Sequence, residues 1–181
     1  MKSSYTENDL GQVIYDLVIS LRPEKVIEVG TLEGYSAIAI GKALKEIGKG
    51  HLHVYDLFEE YQYNHSTLDK VQKTIDENNL QDYITLHQGS LDDWLSKKEE
   101  FDLLHVDISN DGDTVETVLD AVDLSNGATC IFEGGSVERD NIEWMVKYNK
   151  KPINPIVKER GGSMLSEHFP SICLFNYDTS I

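Results

Sequence analysis

At 181 residues the chain has the length of a single domain built on one core, and with 40% hydrophobic and 9% aromatic residues it lies well outside the composition of a disordered chain. Thirty-two acidic against sixteen basic residues leave a formal charge of -16; such a field opposes a phosphate backbone, argues against a nucleic-acid partner and favours a neutral or cationic small molecule. The opening MKSSYTENDLGQ lacks the apolar core of a signal peptide, and no stretch approaches the roughly 18 apolar residues of a membrane span, so a cytoplasmic protein with no membrane partner is expected.

In chain order, Leu10, Val13, Ile14, Leu17, Val18 and Leu21 recur at a spacing that predicts one apolar helical face, closed before Pro23. A strand over Lys25–Val29 leads to a helix from Gly34 to Ile47, stopped at Gly48, and a second strand over His51–Asp56. A helix near Ser66–Asn78 follows, with Ser66 and Asp69 reading as cap and first-turn acid. Strands are expected at Tyr83–His87, Asp102–Asp107 and Ala128–Glu133, with helices near Val115–Asp123 and Glu138–Tyr148 and one capped by Ser90 that carries Trp94. The last strands are expected near Pro155–Glu159 and Ile172–Tyr177, with the stretch GGSMLSEHFPS, 161–171, as a mobile loop between them. This alternation predicts an α/β fold: one domain over residues 1–181, its mainly parallel sheet of seven strands covered by helices on both faces. Cys130 and Cys173 both lie in apolar runs and read as buried, reduced thiols.

The most informative segment is VIEVGTLEGYSAIAIGKAL, in which a buried strand ends at Gly30 and a helix starts just after Gly34. Glycines there let the backbone approach a ligand, and the N–H groups of the helix start favour an anion such as a carboxylate or phosphate. A dinucleotide fingerprint needs glycine at the first position of G-x-G-x-x-G, where this chain has Glu28, and a carboxylate there opposes a pyrophosphate.

The pattern Glu28-x-Gly30-x-x-x-Gly34-Tyr35-Ser36 resembles motif I of class I S-adenosylmethionine-dependent methyltransferases, and is most similar to small-molecule O-methyltransferases of the catechol and caffeoyl-CoA types. The resemblance implies a Rossmann-like, doubly wound sheet of seven mostly parallel strands with the last-inserted strand antiparallel. It also implies a cofactor site in which Gly30, Thr31 and Gly34 turn around the methionine moiety, Glu28 orders its amino end, and Tyr35 and Ser36 lie near its carboxylate. Asp56, ending the second strand roughly twenty residues past the turn, is placed to accept the ribose hydroxyls. Leu57 and Phe58 supply an apolar wall, and Gly89, Ser90 and Leu91 of HQGSLDDWL frame the adenine; Ser90 also reads as a simple helix cap. These segments run from about Ile14 to Glu133.

Methyl transfer from a sulfonium is an in-line displacement, so alignment dominates, with a base where the acceptor is a hydroxyl. Asp107, delivered by the strand FDLLHVD, and Glu133 are the candidate catalytic residues, and Asp107 also reads as ordering the cofactor's methionine end. Metal-dependent relatives carry an Asp after the fourth strand, an Asp-Asn pair after the fifth and a nearby Lys; here Glu133 is followed by Gly134, with no Lys, and the His that a related branch carries just after the fourth-strand acid is absent. Asp107 and Glu133 offer hard oxygen ligands to Mg²⁺ or a similar divalent cation, but without the third family ligand no metal site is assigned. Arg139 reads as an exposed helix-start residue paired with neighbouring acids, and His65 as a surface histidine that could alternatively serve as a base.

The reading is therefore transfer of a methyl group from S-adenosylmethionine to a small-molecule acceptor, at a hydroxyl oxygen. Its rivals are a methyltransferase-fold protein that binds the cofactor without turnover, and a nicotinamide-dependent oxidoreductase, since Asp56 suits either ribose. Members of the family often form homodimers, and no segment here reads as a decisive interface.

Overall fold

The computed structural model describes residues 6, 8–63 and 66–176. They fall into two compact units, the first ending at Asp102 and the second beginning at Leu103. The first contains α1 (Leu10–Leu21), β1 (Lys25–Val29), α2 (Tyr35–Ile47), β2 (His51–Asp56), α3 (Leu68–Glu77), β3 (Ile84–Gln88) and α4 (Leu91–Lys97). β1 pairs in parallel with β2 from Lys25↔His51 to Val29↔Tyr55, and β2 with β3 from Leu52↔Ile84 to Asp56↔Gln88.

The apolar stripe of α1 is buried at Leu10, Ile14 and Val18, and α2 buries Ala37, Ile40, Ala43 and Leu44 alongside Val26, Ile27, Leu52 and Val54 of the strands. Each fully buried aliphatic side chain of Leu or Ile size contributes about 1.5–3 kcal/mol, so this cluster dominates the unit's stability. Gly11 sits where the Tyr35 ring passes: a Cβ there would lie 2.7 Å from Tyr35 Cε1, so the missing side chain seats α1 on α2. The start of β1 is pinned by Asp102, whose Oδ2 accepts the N–H groups of Glu24 and Lys25 at 2.7 and 2.8 Å.

Alternate residues of β2 and β3 carry a row of rings: His53 Nδ1 lies 3.1 Å from His87 Nε2, and Tyr55 stacks on His87 at 4.6 Å between centroids. Burial first, then the neighbouring imidazoles of His51 and His87, lowers the His53 pKa and favours its neutral form.

The second unit contains β4 (Leu103–Val106), α5 (Gly112–Ala121), β5 (Thr129–Glu133), α6 (Val137–Asp140), α7 (Glu143–Lys147), α8 (Asn154–Glu159), β6 (Ser163–Ser166) and β7 (Ile172–Asn176). β4 and β5 are parallel from Leu103↔Thr129 to Val106↔Phe132; β7 runs antiparallel to β5, and β6 antiparallel to β7. Among the described residues the seven-stranded mixed sheet has the order β3-β2-β1-β4-β5-β7-β6. This is the Rossmann-like arrangement the resemblance implies, with the strand inserted last in antiparallel orientation. Cys130 and Cys173 are buried free thiols, and burial pushes the Cys173 pKa up to about 12. Among the described residues no helix is long and apolar enough to cross a membrane.

Several expected elements differ. The segment expected as a strand over Pro155–Glu159 is helix α8: Pro155 lies in its first turn, where the missing N–H is not needed, and the Asp140 carboxylate accepts the N–H groups of Ile153 and Asn154 at 2.8 Å. Ile156 and Val157, read as β-branched strand residues, bury one side of that helix. The sixth strand instead lies inside the segment expected as a loop, where Ser163–Ser166 forms a partly exposed edge with a register shift between Met164 and Ser166. The helix expected over Glu138–Tyr148 is two short ones, because the Asn141 side chain donates to Val137 O and Ile142 is extended. α3 is capped by Thr67 rather than Ser66, and α5 starts earlier than expected, capped by Asp111. Tyr177 and His65 lie outside the described residues.

Gly50 fixes the entry to β2. Its φ is +89°, a Cβ would lie 2.4 Å from the Pro23 carbonyl oxygen, and the next residue donates its N–H to Glu24 O at 2.9 Å. Backbone cannot yield as a flexible side chain would, so Gly50→Ala is expected to lower stability by about 2–4 kcal/mol, read as an earlier guanidinium midpoint with unchanged slope.

Candidate active site

Beyond β1 the chain reverses through Gly30 (φ 85°), Leu32 (φ 50°) and Gly34 (φ 87°), closed by a 2.7 Å bond from Gly34 N–H to Thr31 O. Gly30 N–H also donates to Tyr55 O at 2.8 Å, tying the turn to β2. Asp56, 6% exposed at the end of β2, holds the rest: Oδ2 accepts from Thr31 N–H at 2.8 Å and Oδ1 from Phe58 N–H at 2.7 Å. One carboxylate thereby joins the glycine turn to the turn that follows β2. Glu33, in the same turn, pairs with Lys70 of α3 at 2.7 Å.

Two features suit this turn to a ligand carrying a carboxylate. α2 starts at Gly34 without a side-chain cap, leaving first-turn amides at the positive end of a 13-residue helix. The Thr31 Oγ1 is buried with no hydrogen-bond partner among the described residues. Glu28, Thr31 and Ser36 are all buried, so the polar groups expected around the methionine moiety cluster on β1, the turn and the first turn of α2. Tyr35, in the same first turn, is committed at its ring to Gly11 of α1.

At the neighbouring strand end, Gly89 N–H donates to Asp56 O at 3.0 Å. Ser90 forms a complete capping box with Asp93: Ser90 N–H and Oγ donate to Asp93 Oδ2 at 2.8 and 2.7 Å, and Asp93 N–H returns to Ser90 Oγ. Leu57 and Leu91 are half-buried, whereas Phe58 is entirely buried at φ 48° and packs in the core.

The second unit carries Asp107 and Glu133, each at the carboxyl end of its strand: Val106 and Phe132 are the last register partners of β4 and β5, and the two acids follow them. Asp107 is half-buried. Glu133 is 7% exposed and gripped by Arg139, with Nε to Oε1 at 2.7 Å and Nη2 to Oε2 at 2.9 Å. Arg139 is 4% exposed, not the surface residue its place at a helix start suggested. The local sequence explains the difference. Gly134 and Gly135 (φ 111° and 105°) turn the chain sharply after β5, Ser136 caps the next helix by accepting Arg139 N–H, and the third helical residue is thereby carried back to the strand end. A Glu-Gly-Gly-Ser-x-x-Arg spacing was the available signal.

Asn110, which sequence reasoning passed over, bridges the same strand ends: its Nδ2 donates to Val106 O at 2.8 Å and Glu133 O at 3.0 Å. Asp111 accepts from Lys150 at 2.8 Å and from Thr114 N–H. Burial works to raise the Asp111 pKa, but the bonds from Lys150 and Thr114 prevail and hold it below the ordinary carboxylate value. Among the described residues no group of three or more His, Cys, Asp or Glu side chains gathers as a metal cluster.

Residues 27–132 match the family described as a methyltransferase domain. The chain belongs to that family. No curated protein matched this methyltransferase-domain chain. Solved structures similar to it include the Bacillus cereus O-methyltransferase in complex with S-adenosylhomocysteine (17% identity, 96% of this chain and 83% of that one, TM-score 0.66). Another is the Streptomyces achromogenes O-methyltransferase TomG of tomaymycin synthesis, in complex with S-adenosylmethionine (16%, 94% and 84%, 0.64). A third is a Podospora anserina methyltransferase bound to S-adenosylhomocysteine (16%, 98% and 80%, 0.66). At these identities the likeness establishes the fold.

Two substitutions probe this geometry. Asp56→Asn replaces one acceptor oxygen with an NH₂ group, leaving Thr31 or Phe58 N–H facing a donor, and is expected to cost about 1–3 kcal/mol of stability by denaturant titration. Arg139→Met strands the Glu133 carboxylate and is expected to cost about 3–5 kcal/mol, whereas Arg139→Met/Glu133→Gln together should cost clearly less than the sum of the two singles in a double-mutant cycle.

Proposed function

We propose that this chain transfers the methyl group of S-adenosylmethionine to a small-molecule acceptor, at a hydroxyl oxygen. The observation that carries the reading is the glycine turn from Gly30 to Gly34, anchored on Asp56, within the segment that matches a methyltransferase domain. Structures similar to this one hold S-adenosylmethionine or its demethylated product. The residues present fit such a ligand, because the uncapped start of α2 and the unpartnered Thr31 hydroxyl lie beside buried Glu28 and Ser36.

When bound, the cofactor supplies an electrophilic methyl carbon on a positively charged sulfur. The first-turn amides of α2 at Tyr35 and Ser36 receive a carboxylate, with the Ser36 hydroxyl beside them. Gly30 and Gly34 would keep side chains out of the methionine path, Thr31 would present its hydroxyl to it, and Glu28 would orient an ammonium. Asp56, held in place by its bonds from the Thr31 and Phe58 amides, would accept vicinal hydroxyls. Leu57, Gly89, Ser90 and Leu91 frame an adenine, for which the Asp93 bonds fix Ser90 in one position. Asp107 stands as the acid for the methionine end or the acceptor.

A second reading, cofactor binding without turnover, draws on the Arg139–Glu133 pair, which withdraws Glu133 from the set of bases. Isothermal titration with S-adenosylhomocysteine is expected to show saturable one-site binding, weakened in Asp56→Asn; no heat at millimolar ligand would overturn both readings. Transfer of a labelled methyl group to any member of a panel of hydroxylated acceptors then selects the enzyme over the binding protein.

A further inference from the structure

We propose that Arg139 is a built-in cation: its guanidinium takes the place at Glu133 that a divalent metal ion would need, so no Mg²⁺ or Mn²⁺ binds there and Glu133 serves as a fixed structural anion. Both carboxylate oxygens are engaged by the fork at 2.7 and 2.9 Å, in the parallel geometry a planar guanidinium gives and a lysine cannot. The backbone of Arg139 and two sides of its guanidinium are themselves held. Ser136 caps the Arg139 amide, Asn110 O lies 3.5 Å from Nη2, and the guanidinium carbon stands 5.1 Å from the Trp144 ring centroid. Side-chain exposures of 5% for Arg139 and 9% for Glu133 leave little water to screen the pair.

A hard dication needs about six oxygen ligands, and at this end of the second unit the acids are already committed. Asp111 is held by Lys150 and the start of α5, Asp140 accepts the amides of Ile153 and Asn154, and Glu133 is gripped by Arg139. Asp107 lies one residue past the β4–β5 pairing, and among the described residues no group of three or more His, Cys, Asp or Glu side chains gathers that could hold a metal ion. An arginine in a protein keeps its proton, so the positive charge at Glu133 is permanent and opposes any second cation beside it. Together, Arg139 and Lys150 make the segment after β5 the source of charge compensation for the strand ends. Under the proposed function, methyl transfer then runs without a divalent cation, and Arg139 is a positioning residue that holds the Glu133 carboxylate in place.

The test is Mn²⁺ titration of the full chain followed by electron paramagnetic resonance, on wild type and Glu133→Gln. Because the acidic surface collects some Mn²⁺ weakly, the readout is the Glu133-dependent component. Superimposable isotherms are expected, and a tight component in wild type that falls tenfold or more in Glu133→Gln would overturn the proposal. Should Glu133→Gln fail to fold with its arginine stranded, Asp107→Asn leaves the pair intact and carries the same comparison: equal isotherms support the built-in cation and a lost component overturns it. Neither arm uses cofactor or turnover, so its result stands apart from the S-adenosylhomocysteine titration.

Discussion

A carboxylate removed from water keeps its charge only where donors replace the lost hydration, and the turns of this chain are organised around that demand. Asp56 accepts two main-chain amides from two different turns, Asp102 accepts two at the start of β1, and Asp140 accepts two at the start of α8. In each case one acid converts a reversal of the chain, otherwise weakly determined, into a single conformation. The glycine turn follows from the first of these. With Thr31 N–H drawn to Asp56, the chain must pass through positive φ at Gly30, Leu32 and Gly34 before α2 can begin.

The two units solve the same electrostatic problem by different means. In the first, main-chain amides satisfy Asp56 and Asp102, and α2 starts without a side-chain cap. In the second, side-chain cations satisfy Glu133 and Asp111, through Arg139 and Lys150, while Asp140 accepts main-chain amides. A set of acids committed in this way is poor in free bases, so any rate enhancement from this chain rests on alignment more than on proton transfer.

Much of the fold was legible in the pattern of residues. The 3.6-residue apolar stripe of α1 and the β-branched runs of β1 and β2 lie within the elements they suggested, because burial and local propensity agree there. Legibility failed where they conflict. Pro155-Ile156-Val157 has strand-like side chains, but its helix is decided by Asp140, fourteen residues away from Asn154, which no local window contains. Ser163–Ser166 has strand spacing with little apolar weight, since an edge strand buries only part of itself. The glycine turn was legible as a turn because glycine at positive φ leaves a compositional mark.

Arg139 was not legible, and the reason is general. An arginine after a helix cap is usually a surface residue, and only the Glu-Gly-Gly-Ser-x-x-Arg spacing from Glu133 marks this one otherwise. Its burial follows from three separate features: the sharp glycine turn at Gly134–Gly135, the Ser136 cap that sets the helical phase, and an acid at the end of β5 that has no other partner for its charge. Move the helix start by one residue and the third helical position would no longer be arginine, leaving Glu133 buried and unpaired. The spacing from Glu133 to Arg139 is thus constrained as tightly as the residues themselves, and an insertion in this turn would be more damaging than most substitutions within it.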